Sequence, residues 1–363
     1  VNHYYLLGRS GLRVSRLALG TMNFGVGGLH APYGRTEEEA APIFHRYVES
    51  GGNFIDTADF YTAGESERML GRIIAKAGNR ERLVLTSKYT NSIDATDPNA
   101  GGNGRKHMIR ALEASLRRLG TDHLDLYLLH TWDRITPVEE VVQTFDDLVR
   151  AGKIRYAGLS DVPAWYAARA QSYAEAHGLT PMVTVQLPYS LLDRGIEAEY
   201  VPMAQTLGMG LTAWSPLGGG LLTGKYRRTE AGVAGEGRIS VPDAPVRPVS
   251  DRDWAVVDAL RTVADGLGKP MAQVALNWSL TRPAISSLVI GASSESQLES
   301  NLAALGFELP ADARARLEQA SAPVTAAVYG MFTPEYQSWV VSPGLGIGDR
   351  PDTFAPPVWN GRR

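Results

Sequence analysis

Asn53-Phe54-Ile55-Asp56-Thr57-Ala58-Asp59-Phe60-Tyr61 is a short apolar run that ends on a carboxylate and reaches a tyrosine five residues later. Phe54 and Ile55 have no polar residue between them, as expected of a strand buried on both faces. Similar runs lie on either side, near Leu17–Gly20, Leu83–Ser87, Leu124–His130, Ile154–Ser160, Val183–Gln186, Gly210–Trp214 and Ser287–Ile290. With Asn53–Asp56 they make eight candidate strands. The spacing is about 30–40 residues, doubling before the last, which suits strand–helix–strand units and a parallel sheet. Eight such units predict an α/β fold, either a closed barrel or a doubly wound open sheet.

The segments between these strands carry helical signals. Thr36-Glu37-Glu38-Glu39 has the form of a capping box. Ile43, Phe44, Tyr47 and Val48 then fall on one face, and Gly51-Gly52 provides a stop. Pro42 lies inside that helix, where its missing N–H predicts a kink. Ile109, Leu112, Leu116 and Leu119 repeat at helical spacing, as do Val138, Val141, Val142, Phe145, Leu148 and Val149. Three regions depart from this rhythm. Residues 1–16 pair Tyr4–Leu7 with Leu12–Arg16 around Gly8-Arg9-Ser10-Gly11 and predict a β-hairpin capping one end. Residues 215–250 form a long Gly- and Pro-rich loop after the seventh strand, and 322–363 read as an irregular tail. The whole of 1–363 is expected to be a single domain.

The chain has 363 residues, a formal net charge of −3 and no cysteine. Disulfides, thiolate nucleophiles and cysteine-based zinc sites are therefore excluded. The near-neutral balance favours neither nucleic acid nor an anionic membrane as partner. No apolar run is long enough to span a bilayer, and the first residues lack the pattern of an export signal, so the expected location is the cytoplasm. Histidines at 3, 30, 45, 107, 123, 130 and 177 show no ligand spacing, and no metal is expected.

In a parallel barrel, side chains at the carboxyl ends of strands converge on one face. Successive strand ends here supply Asp56, then Tyr61 in the following loop, then Lys88, then His130. That set suits carbonyl reduction, which needs a proton on the developing alkoxide as well as a hydride on carbon. A tyrosine is a weak acid unless its phenolate is stabilised; Lys88 would do that, and Asp56 would hold Lys88 charged. His130 would position the substrate oxygen. Taken singly, each residue is as well explained by a cap, a turn or a solvated edge. The conjunction over three successive strands is what points to chemistry. Phe24, Phe60, Tyr89 and Trp132, with Tyr189 and the tail's Tyr329, Phe332 and Trp339, are candidate pocket walls.

Taken in order, these segments resemble the aldo-keto reductase superfamily over nearly the whole chain. Asp56-Thr57-Ala58-x-x-Tyr61 with Gly64-Glu65-Ser66-Glu67 and Leu70-Gly71 is similar to the family's segment bearing its catalytic Asp and Tyr. Thr86-Ser87-Lys88 and Asp125-Leu126-Tyr127-Leu128-Leu129-His130 resemble those bearing its Lys and His, and Gly152–Ser160 its fifth strand. The resemblance implies a (β/α)8 TIM barrel, NADPH as cofactor with NADH possible, and an aldehyde or ketone as substrate. It also implies cofactor contacts. Thr21 and Met22 follow the first strand; Ser160, Asp161 and Gln186 stand at the nicotinamide amide. Trp214-Ser215-Pro216-Leu217 provides the stacking aromatic ring, and Gly219, Leu221 and Lys225 lie where the loop crosses the pyrophosphate. Ile290, Gly291, Ser293, Gln297 and Asn301 match the adenosine end.

Three departures stand out. Asp161 occupies a position where many relatives carry Asn, Ser300 replaces a usual acidic residue, and Ser293 stands where some relatives place a basic one. Arg238 in the long loop is the candidate for the missing positive charge. The details lean towards the bacterial and potassium-channel β-subunit-like branches, so a cofactor-binding regulatory subunit with weak reductase activity is the alternative to an enzyme. A Rossmann dehydrogenase would need G-x-G-x-x-G after the first strand, whereas Gly25-Val26-Gly27-Gly28 stands there. No G-x-S-x-G elbow occurs either. Substrate identity and oligomeric state are open at this level.

Overall fold

The computed structural model describes residues 3–92, 94–230, 232–240, 248–324 and 326–340. A short antiparallel hairpin, β1 (Tyr4–Leu6) and β2 (Arg13–Ser15), precedes the barrel. There follow β3 (Leu17–Gly20), α1 (Glu37–Glu49), β4 (Phe54–Asp56), α2 (Glu65–Ala77), β5 (Val84–Tyr89) and α3 (Arg105–Leu119). Then come β6 (Leu124–Leu129), α4 (Val138–Arg150), β7 (Ile154–Ser160), α5 (Ala164–His177), β8 (Met182–Pro188), α6 (Tyr200–Leu207) and β9 (Gly210–Trp214). The long segment after β9 contains a small antiparallel hairpin, β10 (Arg227–Thr229) with β11 (Gly232–Ala234). Two helices in succession, α7 (Asp251–Leu267) and α8 (Met271–Leu280), explain the doubled interval before β12 (Ile285–Ile290). The chain continues through α9 (Glu295–Leu302), α10 (Ala311–Ala320), α11 (Ala327–Gly330) and α12 (Pro334–Val340).

Strands β3 to β9 and β12 pair in parallel and close on themselves in the order β12-β3-β4-β5-β6-β7-β8-β9. The fold is a (β/α)8 barrel, and the open doubly wound sheet is excluded by the β12–β3 pairing of Leu288 with Leu17 and Ile290 with Leu19. Helix α1 begins as its sequence predicts, with the Glu39 carboxylate accepting from the Thr36 N–H at 3.0 Å. It runs unbroken through Pro42 to Glu49. The main apolar layer lies between the strands and the helices, where Phe44, Tyr47, Leu70, Leu112, Phe145 and Trp278 are fully covered.

A second, smaller cluster fills one end of the barrel interior: Leu7, Val14, Ala18, Phe54, Val84, Leu126, Leu128 and Val183. Leu7 comes from the hairpin loop, so the hairpin seals the end from which the strands start. Its seat is tight. Gly8 has φ +57°, and a Cβ there would lie 2.4 Å from the Val183 carbonyl oxygen. The left-handed conformation alone costs an L-residue about 1–2 kcal/mol. Gly8→Ala is therefore expected to lower unfolding free energy by at least that amount, read as a lower urea midpoint at unchanged slope.

In the described part of the tail, α11 and α12 are short helices, and Phe332 and Trp339 are exposed; residues 341–363 lie outside the described residues. Among the described residues no helix is long and apolar enough to cross a membrane.

Candidate active site

The parallel strands end together at the mouth opposite the hairpin, and their inward-facing residues meet there. Lys88, at the end of β5, is fully buried and donates to Asp56 Oδ1 at 2.5 Å, to the Thr57 carbonyl at 2.9 Å and to the Tyr61 hydroxyl at 3.3 Å. The second oxygen of Asp56 accepts from Gln186 Nε2, reaching across from β8 at 2.8 Å. Asp56 is thus bracketed by an ammonium and an amide. A buried carboxylate requires partners of this kind, because an unpaired one would cost several kcal/mol.

The loop that presents Tyr61 is held on both sides. Thr57 N–H and Asp59 N–H extend the ladder beyond β4 by donating to the Thr86 and Lys88 carbonyls at 3.0 and 3.1 Å. After Tyr61 the backbone turns left-handed at Thr62, Ala63 and Gly64, with φ of 48°, 58° and 81°. Two of these are not glycine, a conformation that persists only where surroundings enforce it. Thr62 Oγ1 supplies part of that enforcement, donating to the Phe24 carbonyl at 2.8 Å and accepting from the Ser66 N–H at 2.8 Å.

His130 follows β6 and packs against Phe60 and Tyr61, with ring centroids 5.2 and 5.9 Å away. Asn91 Nδ2 lies 3.4 Å from its Nδ1. With the amide nitrogen on that side as donor, Nδ1 accepts and the ring proton sits on Nε2. Burial, reinforced by the Lys88 charge, holds the imidazole well below the ordinary histidine range. His130 is therefore a neutral donor at pH 7. Burial also raises the Tyr61 phenol, against the pull of Lys88, so the hydroxyl keeps its proton. For Lys88 itself burial works against the charge, but Asp56 and Tyr61 outweigh it and the ammonium is held above its usual range.

An open groove of about 560 Å³ at the ends of β7 and β8 has walls that include Trp132, Arg134, Asp161, Pro188, Ile196 and Tyr200, and none of Asp56, Tyr61, Lys88 and His130 lines it. That is within the range of small-molecule sites. Trp132 is braced edge-on by Trp165 at 5.4 Å. Asp161 has φ 45°, and its Oδ1 accepts from Trp214 Nε1 at 3.0 Å. Burial lifts its carboxyl to about 6, against the Trp214 hydrogen bond.

The remaining sequence candidates divide. Phe60 stands beside Tyr61. Of the candidate pocket walls Phe24, Phe60, Tyr89 and Trp132, only Trp132 lines the groove. Strand alternation turns Lys88 inward and Tyr89 outward, where Tyr89 stacks on Tyr127 at 5.3 Å, and Phe24 is fully covered by the core. Tyr189 likewise stacks on Trp278 at 5.8 Å. Thr21 is a buried tie, its hydroxyl 2.9 Å from that of Ser66, and Met22 is half-buried beside it.

Ser160 Oγ is buried beside the Asp161 carboxyl. The loop after β9 begins with Ser215 at φ 54° and continues through Gly218, Gly219 and Gly220, all with positive φ. The Pro216 and Leu221 side chains anchor it by burial. Lys225 lies 5.1 Å over the Tyr226 ring, and Arg238 5.7 Å over Tyr33, from the loop after β3. Ser293 donates to Gln297 Oε1 through both N–H and hydroxyl, and Asn301 Nδ2 donates to the Gly291 carbonyl at 3.3 Å beyond Ile290. A glycine cradle with a cation beside it fits a phosphate-bearing cofactor.

Sequence reasoning missed the Gln186–Asp56 bond and Asn91 beside His130. An inward-facing amide on a strand otherwise apolar was the available signal for Gln186; nothing local marks Asn91.

The sequence model described as the Aldo/keto reductase family matches residues 16–322. The chain belongs to that family. Aldo-keto reductases are oxidoreductases that generally use nicotinamide cofactors. Among its relatives is the norsolorinic acid reductase of Emericella nidulans, 39% identical over 85% of this chain and 78% of the other. An aryl-alcohol dehydrogenase of Pestalotiopsis microspora is 33% identical, over 85% and 78%. A probable voltage-gated potassium channel subunit beta of Oryza sativa subsp. japonica is 33% identical, over 83% and 90%. Among the described residues no group of three His, Asp or Glu is placed to hold a metal ion.

Proposed function

We propose that the protein is an NADPH-dependent reductase of aldehydes or ketones, with Tyr61 as the acid. The observation that carries this reading is the chain of contacts from Asp56 through Lys88 to the Tyr61 hydroxyl, at 2.5 and 3.3 Å, beside a neutral His130. A bound nicotinamide cofactor supplies the hydride. The protein's residues manage the oxygen: His130 Nε2–H and the Tyr61 hydroxyl bind it, Tyr61 gives it a proton, and Lys88 stabilises the phenolate left behind. Ser160, Asp161 and Gln186 would hold the cofactor's amide and Trp214 its ring. Gly219 and Lys225 would hold its phosphates, and Ser293, Gln297 and Asn301 its adenosine end. The aromatic wall at Trp132 and Tyr200, together with the aryl substrate in one relative's name, favours aromatic carbonyls.

The test is titration with NADPH and NADH followed by turnover of a panel of aromatic and aliphatic carbonyls. Turnover above roughly 1 s⁻¹ supports the enzyme. Binding without turnover favours a regulatory subunit, the role in the rice relative's name. Failure to bind either nucleotide overturns both.

Asp161 adds a pH signature. Its carboxyl, lifted to about 6, is mostly ionised at pH 7 and takes up a proton below that. An ionised carboxylate beside the cofactor favours the positively charged oxidised nicotinamide over the reduced one. The NADP⁺ to NADPH affinity ratio is expected to fall about fivefold as pH drops through 6, the size of a partly screened charge contact of ~1 kcal/mol. In Asp161→Asn the ratio should be flat across that range.

A further inference from the structure

One buried acid takes no part in the chemistry above. Asp59 is only 2% exposed; its carboxyl faces the Phe60 N–H, and no side chain among the described residues hydrogen-bonds it. It sits two residues before Tyr61, on the outer side of the barrel wall. Glu67 faces it from α2, Arg118 from α3, Tyr127 from β6 and Lys88 from β5. Glu67 is fully buried and already engaged: Ser87 donates to one oxygen at 2.5 Å and Arg118 to the other at 2.6 Å. The space thus holds two carboxyls and one guanidinium, and the guanidinium is spent on Glu67. A second negative charge there would have no guanidinium of its own, so Asp59, the acid without a salt bridge among the described residues, is the one that retains a proton.

We propose that Asp59 is a positioning residue that stores a proton behind Tyr61, and that losing this proton sets the alkaline limit of turnover. The route is short. The Asp59 N–H donates to the Lys88 carbonyl, and Arg118 lies under Gly64, with its Cδ 3.1 Å from where a Cβ would stand. When Asp59 ionises, it repels Glu67 and draws on Arg118. The 59–64 segment shifts, and the Tyr61 hydroxyl moves off Lys88. Burial, then the Glu67 charge, raise the Asp59 carboxyl to about 8. The sign for stability follows. The native state holds a proton that the unfolded chain gives up in the ordinary carboxylate range, so stability declines from there up to about pH 8 and is level above it.

The inference rests on Tyr61 acting as the acid, and its test separates the two. Infrared spectra of protein labelled with ¹³C-aspartate should show a protonated carboxyl band at pH 7. It should be lost as pH rises through about 8 and absent from Asp59→Asn. This requires no turnover. In kinetics, Asp59→Asn, which mimics the protonated form, should keep kcat at pH 7 within about threefold. Its alkaline limb should move up by at least one pH unit, with cofactor KM unchanged. Asp59→Ala, which mimics neither form, should lose kcat at every pH. If the band is missing at pH 7, or Asp59→Asn retains the wild-type alkaline limb, the proposal is overturned. A band that vanishes in Asp59→Asn with no turnover on any carbonyl supports the stored proton and sinks only the reductase reading.

Discussion

Tyr61→Phe is expected to reduce carbonyl turnover by about 10²–10⁴-fold, the usual worth of a positioned acid, while leaving nucleotide affinity within a few-fold. The substitution removes one oxygen and keeps the ring, so the packing against Phe60 at 5.0 Å and His130 at 5.9 Å is preserved. Lys88 keeps Asp56 and the Thr57 carbonyl as partners. The loss should therefore fall on kcat, because the hydroxyl is needed most when charge develops on the substrate oxygen. Stopped-flow measurement of cofactor oxidation, beside fluorescence titration of the nucleotide, separates the two quantities. Unchanged turnover would remove Tyr61 from the chemistry.

Lys88→Met is expected to have the largest effect on stability. It leaves Asp56, 2% exposed, with Gln186 as its only side-chain partner among the described residues. Breaking a buried pair in this way costs about 3–5 kcal/mol. Asp56→Asn/Lys88→Met, which leaves no charge behind, should recover most of that loss, because the penalty comes from the unpaired carboxylate. Urea unfolding of both variants checks this. A double variant as unstable as Lys88→Met would show that packing of the lysine stem is what matters. Neither variant should reduce a carbonyl, since both remove the ammonium that stabilises the phenolate.

Much of this arrangement is legible in the residues. β3, β7 and β9 span the same residues as their runs in the sequence; β3 and most of β9 are buried on both faces, which leaves little ambiguity about where polarity begins. β8 runs two residues further than its apolar run, through Leu187 to Pro188. Pro188 reads as a stop, but at a strand's end its missing N–H goes unnoticed. The β10–β11 hairpin carries no apolar run to mark it, because its two three-residue strands are mostly exposed.

Lys88 and Tyr89 are neighbours in sequence, and both looked functional, but a strand sends them to opposite faces. The Asp59–Glu67–Arg118 group escaped notice for another reason. Its members are 8 and 51 residues apart, and each alone resembles an ordinary surface charge. Only the packing of α2 and α3 against the barrel reveals that they share one buried space.

The sealed end of the barrel also has a practical use. Gly11, at the turn of the hairpin, is exposed, has no positive φ, and a Cβ there would meet nothing within 4 Å. With no cysteine anywhere in the chain, Gly11→Cys would give the molecule a single thiol. Tethered to a bead, an electrode or a dye through that sulfur, every copy would point its open mouth the same way, towards the solution.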